Sequence, residues 1–126
     1  MLNVLLVGVG GSIGAVARYL LGGLVYRYYR GMFPYGTLAI NVLGCLGIGF
    51  LMYLVEDKGA VGPGARGFIG GGILGGFTTF STFGHETMAL VRDGSWMAAF
   101  GYVAGNVILG LAAVWAGRTL ARLVAG

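Results

Sequence analysis

Gly70-Gly71-Gly72-Ile73-Leu74-Gly75-Gly76-Phe77-Thr78-Thr79-Phe80-Ser81-Thr82-Phe83 is the stretch that decides how this chain folds. Five glycines fall within seven positions, and hydroxyls mixed with aromatic rings follow at once. The apolar run around it extends from Gly64 to Val91, longer than the roughly 20 residues a helix needs to cross a bilayer. Glycine lowers helix stability by about 1 kcal/mol per residue relative to alanine, so the glycine-rich part of this span is expected to be interrupted near mid-membrane. Unwound backbone at that depth is tolerated only where protein or a water-filled cavity surrounds it. Freed carbonyls there can hold a cation, while exposed N–H groups favour an anion.

Three more runs of spanning length flank this one: Asn3 to Tyr26, Tyr35 to Val55, and Ser95 to Val124. The connectors Arg27–Pro34, Glu56–Pro63 and Arg92–Gly94 are short, and Pro34 and Pro63 suit helix starts, where a missing N–H costs little. Residues 1–126 therefore read as a single all-α, four-helix transmembrane domain. The composition agrees: 57% of the 126 residues are hydrophobic and 10% charged, with a mean hydropathy of +0.86. A soluble domain normally carries about a quarter charged residues, and disorder needs low hydrophobicity, so both classes are excluded. The 27 glycines show no Gly-X-Y period, and a net charge of +4 spread between apolar runs makes no nucleic-acid patch. The apolar N-terminus lacks a basic leader region and reads as a retained first span. Cys45, the one cysteine, reads as a packing residue.

Small residues four apart occur at Gly10/Gly14, Gly67/Gly71/Gly75, Gly72/Gly76 and Gly101/Gly105, the spacing that lets membrane helices touch backbone to backbone. Four helices of a 13.0 kDa chain enclose little interior, so a transport path is expected to need a second copy. With the N-terminus on one side, Lys58, Arg66, Arg118 and Arg122 share that side against Arg27, Arg30 and Arg92. Such a small imbalance barely sets an orientation. It fits a chain that inserts both ways and pairs antiparallel with itself, and it fits orientation by some other signal.

Polar groups at membrane depth are costly and mark function. Arg18 lies well inside the first span, where it either snorkels to the headgroups or lines a vestibule. Asn41 sits in the second span one turn after Thr37 and offers two amide donors, for an anion or for a neighbouring helix. Phe80 and Phe83 share a helix face, and ring edges carry positive charge that can attract a small anion. Thr79, Ser81 and Thr82 add hydroxyls. Glu86 falls at the mouth of the same face, able to gate a path, to shuttle protons, or simply to face water. Trp96 and Tyr102 read as interfacial anchors, and Tyr102, deeper and one turn before Asn106, alternatively gives a hydroxyl to a path. His85 has no second ligand at metal spacing. No phosphate loop, Ser/His/Asp set or paired acids are present, so no enzyme machinery is visible. A small multidrug transporter would need an acid deep in the first helix, where this chain has Arg18. A non-conducting subunit of a larger assembly is the other alternative.

Gly10-Gly11-Ser12-Ile13-Gly14-Ala15-Val16-Ala17-Arg18-Tyr19 resembles the first-helix motif of the Fluc fluoride channels, also called CrcB proteins. Pro34-Tyr35-Gly36-Thr37-Leu38 with Asn41 and Gly44 resembles their second motif, and Gly75 through Phe83 with Glu86 their third. The resemblance covers essentially the whole chain. It implies a dual-topology antiparallel homodimer in the inner (plasma) membrane, exporting fluoride passively and lowering its toxicity. It further implies that Phe80 and Phe83 line the fluoride path, with Asn41, Ser81 and Thr82 as donors. Arg18 would stand near the entrance, Glu86 by the pore, and Tyr102 on its side. A structural sodium ion at the dimer interface would be held by the backbone carbonyls of Gly75 and Thr78. Asn106 stands where the family resemblance leads one to expect a small hydroxyl residue.

Overall fold

The computed structural model describes residues 1–126, and every regular element in it is helical. The chain runs α1 (Leu2–Tyr28), α2 (Tyr35–Met52) with a π-helical turn Tyr53–Asp57, α3 (Pro63–Arg66), a π-helical segment Gly67–Leu74, α4 (Gly75–Phe77), α5 (Phe80–Arg92) and α6 (Trp96–Ala125). Pro63 starts α3 at a position whose N–H would be unpaired anyway. Gly94, at φ +81°, makes the tight turn from α5 to α6 in a backbone region that side chains disfavour. Three helical stretches are long and apolar enough to cross a membrane: Leu2–Tyr28, Tyr35–Asp57 and Trp96–Ala125.

The chain between them does not form one such helix. Residues 63–77 make a continuous helical rod that contains the glycine run, and the chain leaves helix only afterwards. Thr78 (φ −80°, ψ 157°) and Thr79 (φ −149°, ψ 119°) are extended, and α5 begins at Phe80. Glycine content alone placed the expected interruption a few residues too early. The glycines are instead absorbed into close contacts with α1, where Gly10 meets Gly72 and Gly11 meets Gly76 backbone to backbone. Gly101 departs from this use, since a β-carbon there would meet nothing within 4 Å.

Packing is pairwise: α1 lies along residues 67–77, and α2 lies along α6. In the second pair Gly49 faces the Val114 carbonyl and Gly117 faces the Leu46 carbonyl, too close for any side chain. Gly49→Ala is therefore expected to destabilise the protein by about 1–3 kcal/mol, the usual cost of overpacking. Thermal unfolding in detergent checks this, with Gly101→Ala as a control whose midpoint should not fall.

The 29–34 loop and the α5–α6 turn share one end of the bundle, where the Ser95 hydroxyl lies 3.2 Å from the Met32 sulfur. At the other end Arg118 ties α6 to the π-helical turn, pairing with Glu56 at 2.9 Å and Asp57 at 2.8 Å.

Candidate functional site

The break at Thr78–Thr79 is made by a side chain on another helix. In a continuous helix the Thr79 N–H would bond to the Gly75 carbonyl. Here it donates to Asn41 Oδ1 at 2.9 Å, and Asn41 Nδ2 donates back to the Thr79 carbonyl at 3.2 Å. The amide so substitutes for a length of helix ladder. Nδ2 also donates to Asn106 Oδ1 at 3.0 Å, and Asn106 in turn donates to the Tyr102 carbonyl at 2.9 Å. Both N–H groups of Asn41 are thus spent within the protein, so Asn41 acts here as the wedge that holds the break.

The break frees carbonyls on one side and caps a helix on the other. The Thr79 hydroxyl accepts from the Thr82 N–H at 3.2 Å, capping α5. That N–H would otherwise bond to the Thr78 carbonyl, which instead meets an Arg18 guanidinium nitrogen at 3.4 Å. Gly75 likewise loses the Thr79 N–H. The Thr79 hydroxyl donates to Thr82 Oγ1 at 3.0 Å, which leaves the Thr82 hydroxyl hydrogen unspent. Ser81, exposed, shares only a long contact of 3.4 Å with the Thr79 hydroxyl. The start of α5 therefore presents hydroxyl hydrogens and a positive helix end together.

Phe80 and Phe83 stack at 5.5 Å between centroids, and Phe83 continues to Tyr102 at 5.3 Å. Tyr102 is fully buried, whereas Phe80 is 83% exposed on the single chain. Glu86 is partly covered and accepts two hydroxyl hydrogens, from Thr37 at 3.0 Å and from Tyr102 at 2.7 Å. Neither Glu86 nor Arg18 has an ion-pair partner. Thr37 and Asn106 are the residues that sequence reading left without a role. Thr37 carried a signal in its one-turn spacing from Asn41; Asn106 carried only its polarity at depth.

Three cavities lie around these groups, and two of them border the break. The first, about 490 Å³, is lined by Gly75, Thr78, Thr79, Phe80, Phe83 and both Asn41 and Asn106. A second, about 910 Å³, runs along α1 past Arg18 to Thr79 and Thr82. The third, about 290 Å³, lies under the 29–34 loop with Thr37 and Glu86 in its wall. Thr79 borders the first two cavities and Thr37 the last two. One chain thus brings Asn41, Phe80, Phe83, Gly75 and Thr78 to one cavity, places Arg18 and Thr82 in the next, and sets Glu86 in the third. Tyr102 reaches the group through its hydroxyl on Glu86 and its ring on Phe83.

Comparison with known proteins gives consistent matches. The family model described as "CrcB-like protein, Camphor Resistance (CrcB)" matches residues 5–118. A protein of Nitratidesulfovibrio vulgaris called "Fluoride-specific ion channel FluC" is 44% identical over 124 residues, covering 98% of this chain and all of the relative. A protein of the same name from Chloroflexus aurantiacus is 44% identical over 126 residues, the full length of both. One from Opitutus terrae is 46% identical over 119 residues, 93% of this chain and 90% of its own.

Proposed function

The chain belongs to the CrcB family, and we propose that it is a fluoride-selective channel through which fluoride leaves the cell passively. It is a multi-pass membrane protein and not an enzyme. The observation that carries the site assignment is the Asn41-held break, which sets the start of α5, its hydroxyls and its phenylalanines beside two of the three cavities.

Fluoride is small and tightly hydrated, so a path must replace its water with donors in sequence. Arg18 raises the potential of the groove leading inward. Thr82 and Ser81 then supply O–H groups at the positive end of α5. Phe80 and Phe83 offer ring edges, which attract an anion without binding it too tightly to leave. Asn41 fixes the geometry of these groups. Glu86, held by Thr37 and Tyr102, keeps a carboxylate beside the path. Chloride is larger and is refused where the rings narrow the way.

The α3-to-α5 region is read as the fourth crossing, in two pieces. Residues 63–77 and α5 would each reach about 20 Å at helical rise, together enough for a bilayer with the break inside it. The first cavity, with polar groups on its wall, is open on the side of the single chain, and lipid cannot satisfy such groups. A second copy closing over exposed Phe80 answers that need. The near-balance of Lys and Arg between the two ends supports an antiparallel pair in which each copy inserts oppositely.

The same break bears on the sodium ion. Gly75 and Thr78 offer neutral backbone oxygens released from the helix ladder, the donor type that sodium takes, and both line the cavity that the second copy would close. The Thr78 oxygen also meets Arg18 at 3.4 Å, so sodium would have to share it with the guanidinium or displace it. Bound there, sodium would supply positive charge that ties the two breaks together.

Expression in a bacterium lacking its own fluoride exporter tests the reading in cells. Growth should be restored in millimolar fluoride, and growth no better than with an empty vector would contradict it. Bifunctional thiol crosslinkers on a single-cysteine variant, added from each side of the membrane, test the antiparallel pair: one variant should be labelled from both sides.

A further inference from the structure

The two cavities that share Thr37 carry opposite charge. The groove along α1 is bordered by Arg18 and Arg27 and by no carboxylate. The crevice under the 29–34 loop is bordered by Glu86 and Asp93 and by no base; Glu86 forms no ion pair, and Asp93 has only a loose, exposed contact with Arg92 at 4.0 Å. Between them stands a thin partition that includes Gly22, Tyr26 and Thr37, residues lining both. An anion arriving at this end of the bundle therefore meets one attractive opening and one repulsive opening side by side.

Arg27 ends the first of these openings. It lies in the last turn of α1, is exposed, and forms no ion pair, so its charge is not cancelled by a neighbour. It also sits outward of Arg18, nine residues further along the helix, or about 13 Å at helical rise. Two uncancelled charges spaced along a groove with low-dielectric walls focus the field along its length. Tyr19 and Tyr26 line the same groove with apolar rings tipped by hydroxyls. The inner end of the groove is Thr79 and Thr82, whose hydroxyl hydrogen is unspent.

We propose that Arg27 is a capture residue for fluoride: it draws the ion to the α1 groove and away from the carboxylate crevice, handing it inward to Arg18. This rests on the channel reading above. It adds to that reading which opening is used and which residue selects it. Arg27 acts by charge at a distance, not by holding the ion, so its effect must fade as salt shortens the reach of the field. That reach is about 30 Å at 0.01 M ionic strength and about 8 Å at 0.15 M.

The test is the initial fluoride efflux from proteoliposomes at low fluoride, at about 10 mM and again at about 300 mM total ionic strength set with an impermeant salt. At the lower ionic strength Arg27→Gln should slow efflux about twofold to threefold, and Arg27→Lys, which keeps the charge, should restore it. At the higher ionic strength the difference should vanish. Asp93→Asn should leave efflux unchanged at both. Equal slowing by Arg27→Gln at both salt levels, no slowing at either, or faster efflux in Asp93→Asn would each overturn the assignment of the opening. Absence of efflux from the unsubstituted protein would instead strike the channel reading itself, and the two failures are told apart by that reference measurement.

Discussion

Asn41→Leu should reduce fluoride efflux from proteoliposomes by at least about a hundredfold, while the protein still elutes as an assembled species in detergent. The substitution removes the acceptor for the Thr79 N–H and the donor for the Thr79 carbonyl, both at a residue only 8% exposed. A buried backbone group left unpaired costs about 1–3 kcal/mol. The cheapest remedy is local: the Thr79 N–H returns to the Gly75 carbonyl, and residues 63–92 close into one continuous helix. Healing the break swings α5 relative to α4, taking Phe80, Ser81 and Thr82 away from the cavities they border. Two lost bonds at this cost correspond to about two or more decades in rate when the conducting arrangement must be regained for each passage. Leucine has the same branched heavy-atom skeleton as asparagine, so the α2–α6 contact survives. Near-normal efflux in this variant would mean that the break does not organise the path.

Phe80→Ile and Phe83→Ile should each lower efflux by tenfold or more, for a different reason. Isoleucine fills similar space but has no positive ring edge to face an anion. The two variants separate the pore effect from the folding effect. Phe80 is 83% exposed on the single chain and its ring stacks on Phe83, so its replacement should leave the thermal midpoint of that fold almost unchanged. Phe83 lies between Phe80 and Tyr102, and its loss also removes an aromatic contact with Tyr102 worth about 0.5–1.5 kcal/mol beyond the area buried. Efflux should therefore fall in both variants while stability falls mainly in the second. If efflux followed stability, with Phe80→Ile conducting normally, the phenylalanines would be packing residues only.

Helix positions were legible because hydropathy is a local property. The run expected from Asn3 to Tyr26 is the helix Leu2–Tyr28, and that expected from Ser95 to Val124 is Trp96–Ala125. The chain leaves helix at Thr78–Thr79, just after the glycine run, and glycine content alone does not place that departure. Glycine propensity weighs each residue alone, and in water it would loosen the 70–76 stretch; packed on α1, those glycines are what allow the backbones to touch. What opens the helix is Asn41, 38 residues away in sequence, and no local signal at Thr78 or Thr79 announces it. Glu86 illustrates the same limit. From spacing it could be a gate, a proton carrier or a wet helix end; its bonds to Thr37 and Tyr102, on α2 and α6, place it between helices. Asn106, unexpected at its position, turns out to accept from Asn41 and so belongs to the wedge.

The most direct measurement uses the purified protein alone in liposomes loaded with potassium fluoride, diluted into fluoride-free medium, with valinomycin to let potassium follow and an electrode to read the ion outside. Fluoride should appear within seconds of adding the ionophore, and liposomes loaded with potassium chloride in parallel should keep their chloride. Fluoride retained as it is by protein-free vesicles, or chloride released alongside it at a similar rate, would contradict a narrow fluoride path built on the Asn41-held break.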